Sequence, residues 1–163
     1  MSVHRVVALL PERVAAFELG IVVEVFGLER PELDVPWWYD LRVAAETPGP
    51  HAATAGGFAF VVEHGLEALE DADTIVVPGW YGEPSTEVVE AVRAAHDRGA
   101  RLVSICSGVF LIAATGLLDG GEAATHWRYA AKLADRHPEV RVNADVLYVD
   151  NGRARLATYA EAA

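Results

Sequence analysis

One cysteine, Cys106, is all the thiol this 163-residue chain carries, so an intrachain disulfide is excluded and a reducing compartment suits the sulfur. Basic residues are scarce as well. Thirteen Lys and Arg against 24 Asp and Glu leave a formal net charge of −11, and so acidic a surface repels phosphate backbones and anionic lipid. No nucleic acid partner is expected for this chain alone, and no membrane. Long apolar runs are missing: the N-terminal one, Val6 to Leu10, stops at Pro11-Glu12, too short for a signal core or a spanning helix. The chain is therefore read as cytoplasmic. The six histidines, at 4, 51, 64, 96, 126 and 137, show no ligand spacing with one another or with Cys106, so neither a metal site nor a cofactor is expected. Internal repeats and low-complexity tracts are absent too.

What is present is a core. Hydrophobic residues make up 52% and charged residues 23%, the balance of a globular protein, and the length suits one domain over residues 1–163. Val3 to Leu10 reads as a first, fully buried strand, and a helix follows in which Phe17, Ile21, Val25 and Leu28 form a core-facing stripe, with Gly27 as its cap. Pro31 to Pro36 is a loop and Trp38 to Glu46 a second strand; Thr47-Pro48-Gly49-Pro50 is punctuation before a short strand at Phe58 to Val62. Ala72 to Val77 is a central strand stopped by Pro78-Gly79. Ser85 caps an amphipathic helix that runs to Arg98, and Gly99 ends it. Leu102 to Ile105 is the next strand, joined through Cys106-Ser107-Gly108 to a helix over residues 108–114. Glu122 to Thr125, Val140 to Asn143 and Val146 to Asp150 are short strands, with Trp127 to His137 helical before Pro138 and a hairpin signal at Asn151-Gly152. The alternation predicts an α/β fold of flavodoxin-like, doubly wound type: a mostly parallel sheet with helices on both faces.

In such a sheet ligands bind beyond the C-terminal ends of the strands. Cys106 occupies that edge, at a strand-to-helix elbow of the kind that lifts a nucleophile above the sheet, where N-terminal helix amides favour thiolate over thiol. Glu18 opens the first helix at the same edge, whereas Glu24, about 240° around the helix and roughly 9 Å further on, points elsewhere. If Glu18 reaches the sulfur, two negative charges about 4 Å apart would repel by roughly 4 kcal/mol, so the carboxyl is expected to hold the proton and act as a general acid. The amides of Gly79 and Ser107 are candidate anion donors, and Trp80 and Tyr81 either line the pocket or cover the core. His126 is the available imidazole, in a position that suits a structural role as well as a catalytic one.

Phe17-Glu18-Leu19-Gly20, Ile75-Val76-Val77-Pro78-Gly79-Trp80, Ser104-Ile105-Cys106-Ser107-Gly108 and Ala124-Thr125-His126-Trp127 together resemble the ThiJ/PfpI superfamily, the class I glutamine amidotransferase-like domains, and within it the N-terminal domain of AraC-type transcription regulators. The resemblance runs over about residues 3–152. It implies Cys106 as the reactive thiol, Glu18 as the acid beside it, Gly79 and Ser107 as backbone donors, and a homodimer. The activity implied is the sensing of a small-molecule ligand; the alternatives are an isonitrile hydratase-like enzyme with Cys106 as nucleophile and Glu18 as acid, or a thiol redox sensor. A peptidase is not implied, because Ser107 stands where the peptidase branch has histidine. Relatives continue into a closing helix where this sequence ends in Arg-Ala-Arg-Leu-Ala-Thr-Tyr-Ala-Glu-Ala-Ala, and no helix-turn-helix pair follows residue 152. The domain is thus expected to be cut short, to expose apolar surface, and to be less stable or more strongly associated.

Overall fold

The computed structural model describes residues 3–152 and 156–159. At its centre, β1 (Arg5–Leu10) is hydrogen-bonded in parallel to β3 (Asp40–Ala45) on one side and to β6 (Thr74–Val77) on the other. Beyond β6 come β7 (Arg101–Ile105) and β11 (Leu156–Tyr159), both parallel, and then β10 (Tyr148–Asn151), which pairs with β11 antiparallel and closes a six-stranded sheet. All four residues of β6 and five of the six in β1 are buried, which is why these segments read as unbroken apolar runs rather than as alternations.

Helices lie on both faces. α1 (Ala16–Val22) presses Leu19 and Val22 onto Val6, Ala8 and Val76. α2 (Thr86–Asp97), α3 (Val109–Ala114) and α4 (Trp127–Arg136) pack on the opposite face with Val7, Leu9, Ile75, Val77 and Leu102. Ser85 begins α2 as expected, its Oγ accepting the Val88 N–H at 3.1 Å. A small second sheet joins β2 (Arg13–Val14), β4 (Gly49–Ala53) and β5 (Ala59–Val62), and a two-stranded ladder joins β8 (Glu122–Ala123) to β9 (Arg141–Val142).

The first helix departs from expectation. Its stripe does not face the core: Phe17 is 63% and Val25 49% exposed, while Glu18, Leu19 and Val22 are the buried residues. After Val22 the chain widens into a π-helical segment, Val23–Gly27, and this shift of phase carries a stripe laid out on a 3.6-residue period off the sheet. The punctuation at residues 47–50 likewise conceals β4. Because β2 reaches only Ala52 and Ala53, Pro50 sits where β4 has a single neighbour, a place that tolerates a missing N–H. The hairpin signal runs into residues 153–155 and the missing closing helix concerns the chain after Tyr159; both lie outside the described residues.

Beside α1, the sheet face over β6, β7 and β11 is open. Phe17, Ile21 and Val25 form one wall and Val76, Val103 and Ile105 the floor of a groove of about 850 Å³.

Candidate functional site

The three central neighbours β1, β6 and β7 each release a site residue from the C-terminal end. Glu18 follows β1, Gly79 follows β6, and Cys106 follows β7. Parallel pairing of adjacent strands brings these three loops to one edge, which is the expected place.

Cys106 holds a left-handed backbone with φ 55°, and Asp34 is the only other non-glycine residue with positive φ among those described. Such a conformation costs a β-carbon residue about 1–3 kcal/mol, and it persists only where the surroundings impose it. Here they do. The Thr125 hydroxyl donates to the Cys106 carbonyl at 2.8 Å, and residues 106–108 form one tight turn that runs directly into α3. Gly108 presses on the end of β6 so closely that a Cβ there would come 2.1 Å from the Val77 carbonyl oxygen.

The thiol does not stand clear of the sheet edge. Cys106 is only 4% exposed and Glu18 only 7%, and the cover comes from the loop after β6. In that loop Gly79 has φ 128° and lies against Ala15 and Ser107, and the Trp80 N–H donates to Ser107 Oγ at 3.2 Å. The amide engaged with Ser107 is therefore that of Trp80 rather than Gly79. Trp80 itself is buried in the core under α3, its indole N–H without a hydrogen-bond partner among the described residues.

Tyr81 emerges as a member of the site. Burial raises its phenol above the ordinary value of 10.0, the charge of Glu18 and the nearby Tyr129 and Cys106 add to this, and a hydrogen bond with Ser107 opposes it. The phenol thus stays protonated in the fold. Its contribution to stability is complete below pH 10.0 and is lost as pH rises through the higher folded value. We expect an alkaline loss of stability that is smaller in Tyr81→Phe; superimposable curves of urea midpoint against pH for the two proteins would refute the contact.

His126 caps α4. Its Nδ1 accepts the Arg128 N–H at 3.2 Å, and its ring lies against Trp127 and Tyr129 with centroids 5.3 and 5.9 Å apart. With Nδ1 an acceptor, the neutral ring carries its proton on Nε2, the nitrogen left for any ligand. No group of three His, Cys, Asp or Glu residues among those described is placed to hold a metal ion, and no described helix is long and apolar enough to cross a membrane. The Thr125 hydroxyl gave no sign in the sequence. It sits 19 residues from the carbonyl it serves.

Comparisons with known proteins agree with this geometry. A family model described as the DJ-1/PfpI family matches residues 4–158. An uncharacterised protein of the cpoL 5′ region from Streptomyces lividans is 32% identical over 140 residues, 83% of this chain and 96% of that protein. The HTH-type transcriptional regulator GbdR from Pseudomonas aeruginosa is 26% identical over 119 residues, 71% of this chain and 31% of the regulator, so the chain spans about a third of that regulator's length. In fold, an AraC family transcriptional regulator from Pseudomonas putida superimposes with a TM-score of 0.72 at 18% identity, over 96% of this chain and 83% of the other.

Proposed function

Because the chain belongs to the DJ-1/PfpI family and is related to AraC-type regulators, we propose that it is a small-molecule-sensing domain whose ligand binds at Cys106 and Glu18. The observation that carries this reading is the convergence of a left-handed Cys106, a buried Glu18 and the Tyr81 phenol at the ends of three adjacent strands. A strained backbone and buried polar side chains are costly, and both gather where a ligand is to be held. The domain would act in the cytoplasm as a homodimer, in keeping with its single thiol and its relatives.

The second reading is enzymatic. Cys106 would add to a small electrophilic carbon such as an isocyanide or a reactive carbonyl, Glu18 would supply the proton, and water would complete the hydration. The buried carboxyl among these groups favours it, since the cap on α4 occupies one nitrogen of His126. A redox sensor gains less support from a sulfur that is 4% exposed.

Calorimetry against a panel of small metabolites, isocyanides and 2-oxoaldehydes separates these readings. Sensing predicts saturable binding without turnover, weakened at least about tenfold by Cys106→Ala or Glu18→Gln, the loss of roughly one charge-assisted contact. Turnover by the wild type that disappears in Cys106→Ala would replace the sensor with the enzyme.

A further inference from the structure

The sulfur is covered by one removable piece of chain. Beneath and beside Cys106 the structure is core: Val109, Leu111 and Ile112 of α3 are fully buried, and the carbonyl of Cys106 is held by Thr125. Across the mouth runs the segment from Gly79 to Glu83. Its near end is pinned by the Trp80 N–H on Ser107 and by the buried Trp80 ring. Its far end is tied to α4 by an ion pair between Glu83 and Arg136 at 2.6 Å, whose side chains are 75% and 45% exposed. Tyr81 lies between these ties, 41% exposed, and on either side of it Gly79 and Gly82 hold φ of 128° and 87°. Nothing lies within 4 Å of a Cβ built on Gly82. That joint can therefore turn without displacing a neighbour, whereas Trp80 cannot leave its place without opening the core.

We propose that Tyr81 is the specificity-determining gate of the Cys106 site, swinging about Gly82 to admit a small ligand and held shut by the Glu83–Arg136 pair. This rests on the reading that a ligand comes to Cys106. It adds that the ligand is limited in size, because the opening is that left by one phenol ring while Trp80 stays fixed. An exposed ion pair contributes little and is screened by salt, so the latch is weak by construction. The gate opens more readily as ionic strength rises.

Because the chain has a single cysteine, alkylation reports on this site alone and needs no ligand. The folded protein is treated with iodoacetamide and, separately, with a bulky fluorescein maleimide, and the rates are followed by mass spectrometry over a series of low urea concentrations. Tyr81→Ala is expected to speed iodoacetamide labelling about tenfold or more, the loss of one hydrogen bond and a ring's cover, and to speed the bulky reagent by a larger factor. Tyr81→Phe falls between. Glu83→Gln gives up to about a fivefold gain at low salt, the most that an exposed pair contributes, and removes the salt dependence of the rate. In each protein the rate should depend on urea much less steeply than global unfolding does. Labelling of Tyr81→Ala at the wild-type rate, or a urea dependence equal to that of global unfolding, overturns the gate. Either result leaves the calorimetric test of ligand binding unaffected, and absent binding leaves the labelling result standing.

Discussion

Gly108→Ala is expected to destabilise the protein by roughly 3–5 kcal/mol, among the largest costs a single methyl can impose. The added carbon would lie 2.1 Å from the Val77 carbonyl oxygen, 3.0 Å from the Val77 carbonyl carbon and 3.2 Å from the Gly79 nitrogen. All three are backbone atoms, and all belong to the end of β6 or the turn after it. No side chain can rotate to relieve the contact, so either β6 parts from β7 or the whole elbow lifts away from Glu18. The conformation itself is no obstacle: Gly108 has φ −57°, which any residue adopts, so the penalty is purely steric. Gly20 in α1 provides the control. Nothing lies within 4 Å of a Cβ there, and alanine should stabilise the helix by up to about 1 kcal/mol. Urea denaturation of the two variants checks both signs at once, and a Gly108→Ala protein as stable as the wild type would mean that the elbow does not approach β6 this closely.

The second large effect concerns the two faces of β7. Leu102 is fully buried among α2, α3 and the sheet, and Leu102→Ala should cost about 2–5 kcal/mol through lost burial and a residual cavity. Val103, the next residue, points the other way into the open groove. Val103→Thr keeps the shape and adds a hydroxyl that water can reach, so its cost should stay below about 0.5 kcal/mol. The comparison probes whether the groove is open in solution. A loss for Val103→Thr above about 1 kcal/mol that grows with protein concentration would show that another copy of the chain covers this face.

The central elements were legible because their signals are local. Thr74-Ile75-Val76-Val77 and Leu102-Val103-Ser104-Ile105 are apolar runs closed by turn residues, and Ser85 stands three residues ahead of the amide it caps. Position in the chain also suggested the site, since Glu18, Gly79 and Cys106 each follow a strand. The first helix was misread for a physical reason: Phe17, Ile21 and Val25 are apolar at helical spacing, yet the fold buries Glu18 on the inner side and leaves the stripe on the wall of the groove. Periodicity reports that a helix has two faces. Which of them meets the sheet depends on what else needs burying.

Composition and local pattern alone determined that the chain has one thiol, an acidic surface and an alternation of buried strands with helices, because burial of apolar runs and turn chemistry act over a few residues. Tertiary structure decided that Cys106 lies under cover rather than in the open, that Thr125 holds its carbonyl, that His126 is engaged in a cap, and that Tyr81 closes the mouth. Each of those outcomes joins loops or helix ends that leave different strands. Their meeting is set by the order in which the strands pair, and that order is a property of the packed sheet rather than of any segment in it.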